Sequence, residues 1–143
     1  MVDLYADYEE RAGASDRRML QAFAGFETGS LRWGMQYSHQ DRGEDPPLEL
    51  ASGFLVAESG ARSNVILRVD RLFEPSPRGD DISYLPFDPS ANATTLLAGV
   101  EFRPAAHYYF TPNAVIKRYD RNDAGERPAT DVHLRLTVFV DFD

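Results

Sequence analysis

The final segment, residues 131–142, constrains the fold most, because its apolar residues recur at every second position. Val132, Leu134, Leu136, Val138, Val140 and Phe142 fall on one side of an extended chain, and Asp131, His133, Arg135, Thr137 and Asp141 fall on the other. Phe139 is the one exception on the polar side. Successive side chains of a strand point to opposite faces, so a period of two is strand geometry, whereas a helix repeats every ~3.6 residues. A strand with one apolar face is half of an interface, and its partners must lie elsewhere in the chain.

The same template matches residues 2–9, 18–27, 31–40, 48–58, 64–74, 94–103 and 107–119. In the first of these, Val2, Leu4, Ala6 and Tyr8 oppose Asp3, Tyr5, Asp7 and Glu9. In the third, Leu31, Trp33, Met35 and Tyr37 oppose Arg32, Gly34, Gln36 and Ser38. In the sixth, Leu96, Ala98, Val100 and Phe102 oppose Leu97, Gly99, Glu101 and Arg103. The second, fourth and fifth are less regular, with Phe23, Leu55 and Ile66 falling on the mixed face. Residues 16–24 have a helix-like spacing but are too few, and are read as strand. The expected fold class is all-β, an antiparallel up-and-down meander of about eight strands in one domain over residues 1–143.

The connections alternate in length. Residues 28–30, 59–63 and 104–106 are short, whereas 10–17, 41–47, 75–93 and 120–130 are longer and rich in charge, Gly and Pro. In a meander all the long loops lie at one end and all the short turns at the other, as in outer-membrane barrels. The aromatic residues of the apolar face follow the same division. Phe26, Trp33, Phe102, Tyr108 and Phe142 lie beside the short turns, and Tyr8, Tyr37 and Phe73 beside the long loops, giving two expected membrane girdles.

The terminal run Val132-His133-Leu134-Arg135-Leu136-Thr137-Val138-Phe139-Val140-Asp141-Phe142 resembles the closing strand of bacterial outer-membrane β-barrels, which alternates and ends on an aromatic. Here Asp143 follows that aromatic. Gly99-Val100-Glu101-Phe102-Arg103-Pro104, leading to Pro112-Asn113, resembles a late hairpin of porin-like proteins. The resemblance implies a transmembrane barrel, either complete with eight strands or the C-terminal part of a larger one. With a strand starting at Val2 and no leader in view, the partial barrel is the favoured expectation. It also implies a location in the bacterial outer membrane. Its partners would be membrane lipid, lipopolysaccharide and, through the last strand, the barrel-assembly machinery, with small solutes as further candidates.

The opposite face would line the lumen, with Arg32, Gln36, Glu49, Arg68, Asp70, Glu101, Lys117 and Arg135 as the expected lining, joined by Asp3, Asp7 and Gln21. Both signs of charge are present, so these groups can pair or face water. The connection 75–93 contains Ile82, Tyr84, Leu85 and Phe87, apolar residues that a free loop does not need. It is expected to pack over or into the barrel mouth through Tyr84, Leu85 and Phe87, or against a partner.

Composition removes other classes. A net charge of −8 lacks the cationic surface that drives nucleic-acid binding. There is no cysteine, hence no disulfide framework or thiolate metal site. No run approaches the ~18 apolar residues of a spanning helix. His39, His107 and His133 lack ligand spacing, although His39 and His133 would lie near the same rim; no metal and no cofactor is expected. Ser38 with Asp131 and His133 is the only nominal catalytic set and is not adopted. Arg78-Gly79-Asp80 reads as turn composition, Asn92-Ala93-Thr94 matches a glycosylation sequon of no relevance to a bacterial chain, and Glu44, Asp45, Asp80 and Asp81 read as solvated loop acids. The expected function is a porin-like passive pore or structural membrane protein without catalysis. The alternative is a soluble lipocalin-like barrel holding a hydrophobic molecule inside, with its apolar face turned inward.

Overall fold

The computed structural model describes residues 1–11, 15–43, 45–82 and 84–142. The chain is all-β. Its strands are β1 (Val2–Glu9), β2 (Arg17–Thr28), β3 (Leu31–Arg42), β4 (Asp45–Gly60), β5 (Ser63–Leu72), β6 (Ala93–Ala105), β7 (Tyr108–Tyr119) and β8 (Asp131–Val140). A four-residue helix, α1 (Gly79–Ile82), interrupts the connection from β5 to β6. The strands form one eight-stranded sheet in sequence order, and every neighbouring pair is antiparallel. β1 pairs with β2 alone and β8 with β7 alone, so the sheet is open. Residues 16–24, helix-like in spacing, lie largely within β2 and its pairing to β1 and β3. Among the described residues no helix is long and apolar enough to cross a membrane.

Short turns join β2 to β3, β4 to β5 and β6 to β7. Gly29 has φ of +55° at the first, a conformation that costs a residue without Cβ little. His107 takes φ of +67° at the third, where the register between Phe102 and Ala105 also shifts beside Pro104. The expected long loop at 41–47 is instead the tip of an extended hairpin, since β3 runs to Arg42 and β4 starts at Asp45. Pro46 and Pro47 lie in that hairpin where its register shifts between Gln40 and Arg42. A proline has no ladder N–H to give, and a bulge absorbs the gap.

Register decides which residues share a face. Leu4 lies opposite Ala22, Ala22 opposite Tyr37, and Tyr37 opposite Ala51. Leu67 lies opposite Ala98, Ala98 opposite Ala114, and Ala114 opposite Leu134. Followed through all seven pairings, one face of the sheet is apolar on every strand. Its large side chains are uncovered: Leu4 is 77% exposed, Leu20 61%, Met35 55% and Leu134 82%. Burial is deeper on the other face, where Ser38, Asn64, Thr95, Val115, Lys117 and Tyr119 are all buried. The small apolar core also lies there, where Ala91 and Phe87 of the 73–92 connection pack with Leu72, Ala93 and Tyr119 of the sheet.

Leu55 stands on the apolar face, between Trp33 and Leu67, and not on the mixed one. Phe23 and Ile66 do stand on the mixed face, opposite Gln36 and Gly99. Phe23 stacks with Phe54 at 6.3 Å, and Phe54 lies over Gly34, where a Cβ would come within 2.7 Å of its ring.

Candidate functional site

The polar face carries the chemistry. Ser52, Asp70, Thr95, Lys117 and Asp131 are successive cross-strand partners from β4 to β8 and form one row across the sheet. Asp70 accepts hydrogen bonds from Ser52 Oγ and from Arg68 Nε, the latter at 2.8 and 3.1 Å. Arg68 and Asp70 are two apart on β5, the spacing that sets both on one side of a strand. Nearer the short turns, Asn64 Nδ2 donates to Glu101 Oε1 at 2.9 Å, and Arg103 lies 3.5 Å from the same carboxylate oxygen. Tyr119 Oη donates to Asp131 at 2.7 Å and accepts the Asp88 N–H at 3.1 Å, tying the loop to β7 and β8.

The 73–92 connection folds down onto this face. Lys117, 1% exposed, donates from Nζ to the carbonyl of Leu85 at 2.6 Å and to that of Pro86. Its ammonium stands 4.3 Å from the centroid of the Phe87 ring, while Arg135 stands 4.5 Å from that of Tyr84. Tyr84, Leu85 and Phe87 therefore meet the polar face through two cations from β7 and β8. A buried ammonium needs acceptors, and the loop supplies them as backbone carbonyls. Ile82 is the last residue of α1.

Of the expected lumen-lining residues, Arg32, Gln36, Arg68, Asp70, Glu101, Lys117 and Arg135 share this face, as do Asp3, Asp7 and Gln21. Glu49 does not. It lies opposite His39 on the apolar side, at the long-loop rim, with its carboxylate 2.9 Å from His39 Nδ1. Register with β3 and β5 sets the odd positions of β4 on the bare apolar face, although Leu48, Leu50, Phe54 and Val56 occupy the even ones.

The same rim of the apolar face carries Arg18 opposite Asp41, and Arg71 opposite Thr94. Arg71 donates to Thr94 Oγ1 at 3.0 Å and to Asp120. That hydrogen bond holds the Asp120 carboxyl below its ordinary range. Asp16, in the first long loop, is lowered likewise by the Tyr8 hydroxyl at 2.6 Å and the Arg11 N–H at 3.1 Å. Between this rim and the short turns the apolar face carries no charged residue on any of the eight strands. Of the residues expected as girdles, Tyr8, Phe26, Tyr37, Phe73, Phe102 and Tyr108 are exposed. Trp33 stacks on Phe26 at 4.6 Å, and Phe142 follows β8, 88% exposed.

Other nominated sets are not assembled. His39 lies on the apolar face and His133, opposite Val115, on the polar face, so they do not approach one another. Ser38 is on β3 and accepts from Gln36 at 3.0 Å, whereas His133 and Asp131 are on β8. Gly79 and Asp80 open α1, Thr94 is within β6, and Glu44 lies outside the described residues. Among the described residues no group of acids and histidines is placed to hold a metal.

The wall formed by Leu48, Leu50 and Leu72 on the polar face, and Thr95 beside it, were not anticipated. Their signal was the apolar content at even positions of 48–58, which registers beneath the apolar residues of the loop. The chain matches no family model, no curated protein and no solved structure.

Proposed function

We propose that the chain is a lipid-facing β-sheet protein of the outer-membrane barrel class, a porin-like passive pore or structural membrane protein without catalysis. One observation carries this reading. Between its rim and the short turns the apolar face is uncharged on all eight strands and is left bare, while the long loop and most of the charged side chains occupy the opposite face. A soluble carrier of the lipocalin kind needs the reverse arrangement, with its apolar face inside and its charges in water. Burying one Leu or Val contributes about 1.5–3 kcal/mol, so a bare face of this extent leaves unused more than the ~5–15 kcal/mol by which a domain is usually stable. Lipid chains would cover it at no cost in hydrogen bonding, because the ladder satisfies the backbone. The charged rim at the long-loop end and the aromatic side chains near both ends are the boundaries such a band requires. A spanning sheet also tolerates no bare edge, so the free sides of β1 and β8 must find strand partners in the membrane.

Refolding of the denatured chain in plain buffer and in detergent micelles tests the reading. β-structure by circular dichroism, with a heat-modifiable gel band in micelles alone, is expected. A cooperative monomeric fold in buffer would overturn it in favour of the soluble carrier.

A further inference from the structure

Beneath the 73–92 connection the polar face holds two adjoining cavities of about 390 and 270 Å³. Both are lined by Arg68, Asp70, Phe87 and Thr95, so these residues mark where one opens toward the other. The larger is aliphatic, walled by Leu48, Leu50 and Leu72. The smaller ends at Lys117.

Two groups lining the smaller cavity are incompletely satisfied. Thr95 is only 8% exposed, yet its Oγ1 has no hydrogen-bond partner among the described residues. Buried hydroxyls are rarely left so, because desolvation without a compensating partner is unfavourable. Lys117, its cross-strand neighbour, gives two of its three ammonium protons to backbone carbonyls and has no carboxylate in salt-bridge range among the described residues. Asp131, the cross-strand neighbour of Lys117 on β8, attracts this charge from beyond ion-pair distance and accepts the Tyr119 hydroxyl, while Arg68 and Ser52 already bind Asp70. What remains is one ammonium proton in the smaller cavity and one unpartnered hydroxyl where that cavity meets the aliphatic one.

We propose that this compartment binds a short-chain aliphatic monocarboxylate. The carboxylate accepts from Thr95 Oγ1 and the remaining proton of Lys117, and the chain lies along Leu50, Leu72 and Phe87. The site belongs to the face opposite the bare apolar one, and so does not depend on what covers that face.

The test is methyl-resolved NMR of the full chain in lipid nanodiscs, titrated with hexanoate at neutral pH. Saturable shifts confined to Thr95 and to Leu48, Leu50 and Leu72 are expected, with Leu20, Leu67 and Leu134 unmoved. Thr95→Val should weaken hexanoate roughly five- to tenfold, the loss of one buried hydrogen bond. Hexan-1-ol should bind about tenfold more weakly than hexanoate, lacking the charge-assisted contact. Equal, non-saturating shifts at all these leucines would mean partition into lipid and overturn the site. So would unchanged affinity in Thr95→Val, or no shift at all, as for a compartment filled only by water. Lipid cross-peaks to Leu20, Leu67 and Leu134 are read from the same sample. Their absence would count against the membrane reading alone, and the titration would then be repeated in buffer.

Discussion

At the scale of single residues, Leu67 and Lys117 report on the two faces. Leu67 sits midway along β5 on the apolar face, between Leu55 and Ala98. In a bilayer, Leu67→Arg should destabilise the folded chain by about 2–4 kcal/mol, measured by denaturant titration in liposomes, because a cation near the midplane has no solvation. A change within about 0.5 kcal/mol, normal for a surface position in water, would show that this face does not meet lipid. Lys117 acts on the other side, where its ammonium holds the carbonyls of Leu85 and Pro86. Lys117→Met keeps the stem and removes those bonds. Limited proteolysis should then cut near Tyr84 faster in the variant than in the wild type, and equal rates would show that other contacts hold the loop.

At the scale of elements, the strands are fixed by ladders and the long connections by a few polar ties. The connection from β7 to β8 begins at Asp120, which Arg71 of β5 binds across the rim. Because that bond lowers the folded-state pKa of Asp120, its stabilisation is complete above the unfolded carboxylate value near ~4 and disappears as pH falls through the lower folded value. The pair is largely exposed, so its contribution is under about 1 kcal/mol. Arg71→Gln should flatten this part of the acid limb of a stability-against-pH curve and leave the neutral limb little changed in slope; an unaltered acid limb would remove the pair from the account. Strand extents were legible from alternation to within three residues at each end, with β1 predicted at its observed bounds. The 41–47 connection was not, because Gly, Pro and charge read as loop in sequence. Only the pairing of Arg42 with Asp45 shows that they form a bulged hairpin tip.

At the scale of the molecule, the open sheet is the feature with most consequence. Every residue of β1 is exposed, and its outer edge has no ladder partner. An even number of strands leaves β1 and β8 antiparallel, so either can add to the other or to a further strand of matching direction. Hydrogen exchange of the micelle-folded chain should show slow outward-pointing amides on both β1 and β8, the mark of paired edges. Fast exchange there would be incompatible with a spanning sheet.

The sequence alone determined the all-β class, the order and number of the strands, and seven of the eight residues expected on the polar face, because a period of two assigns faces without reference to partners. Tertiary structure decided the rest. Where apolar residues occupy both sides of a strand, as in β4, register with neighbours selects the outward set, and it carried Glu49 to the rim beside His39. Alternation is also indifferent to which face is covered. Lys117 settled that by drawing the loop's carbonyls onto the polar side, since a buried ammonium must find acceptors and an apolar face has none to offer.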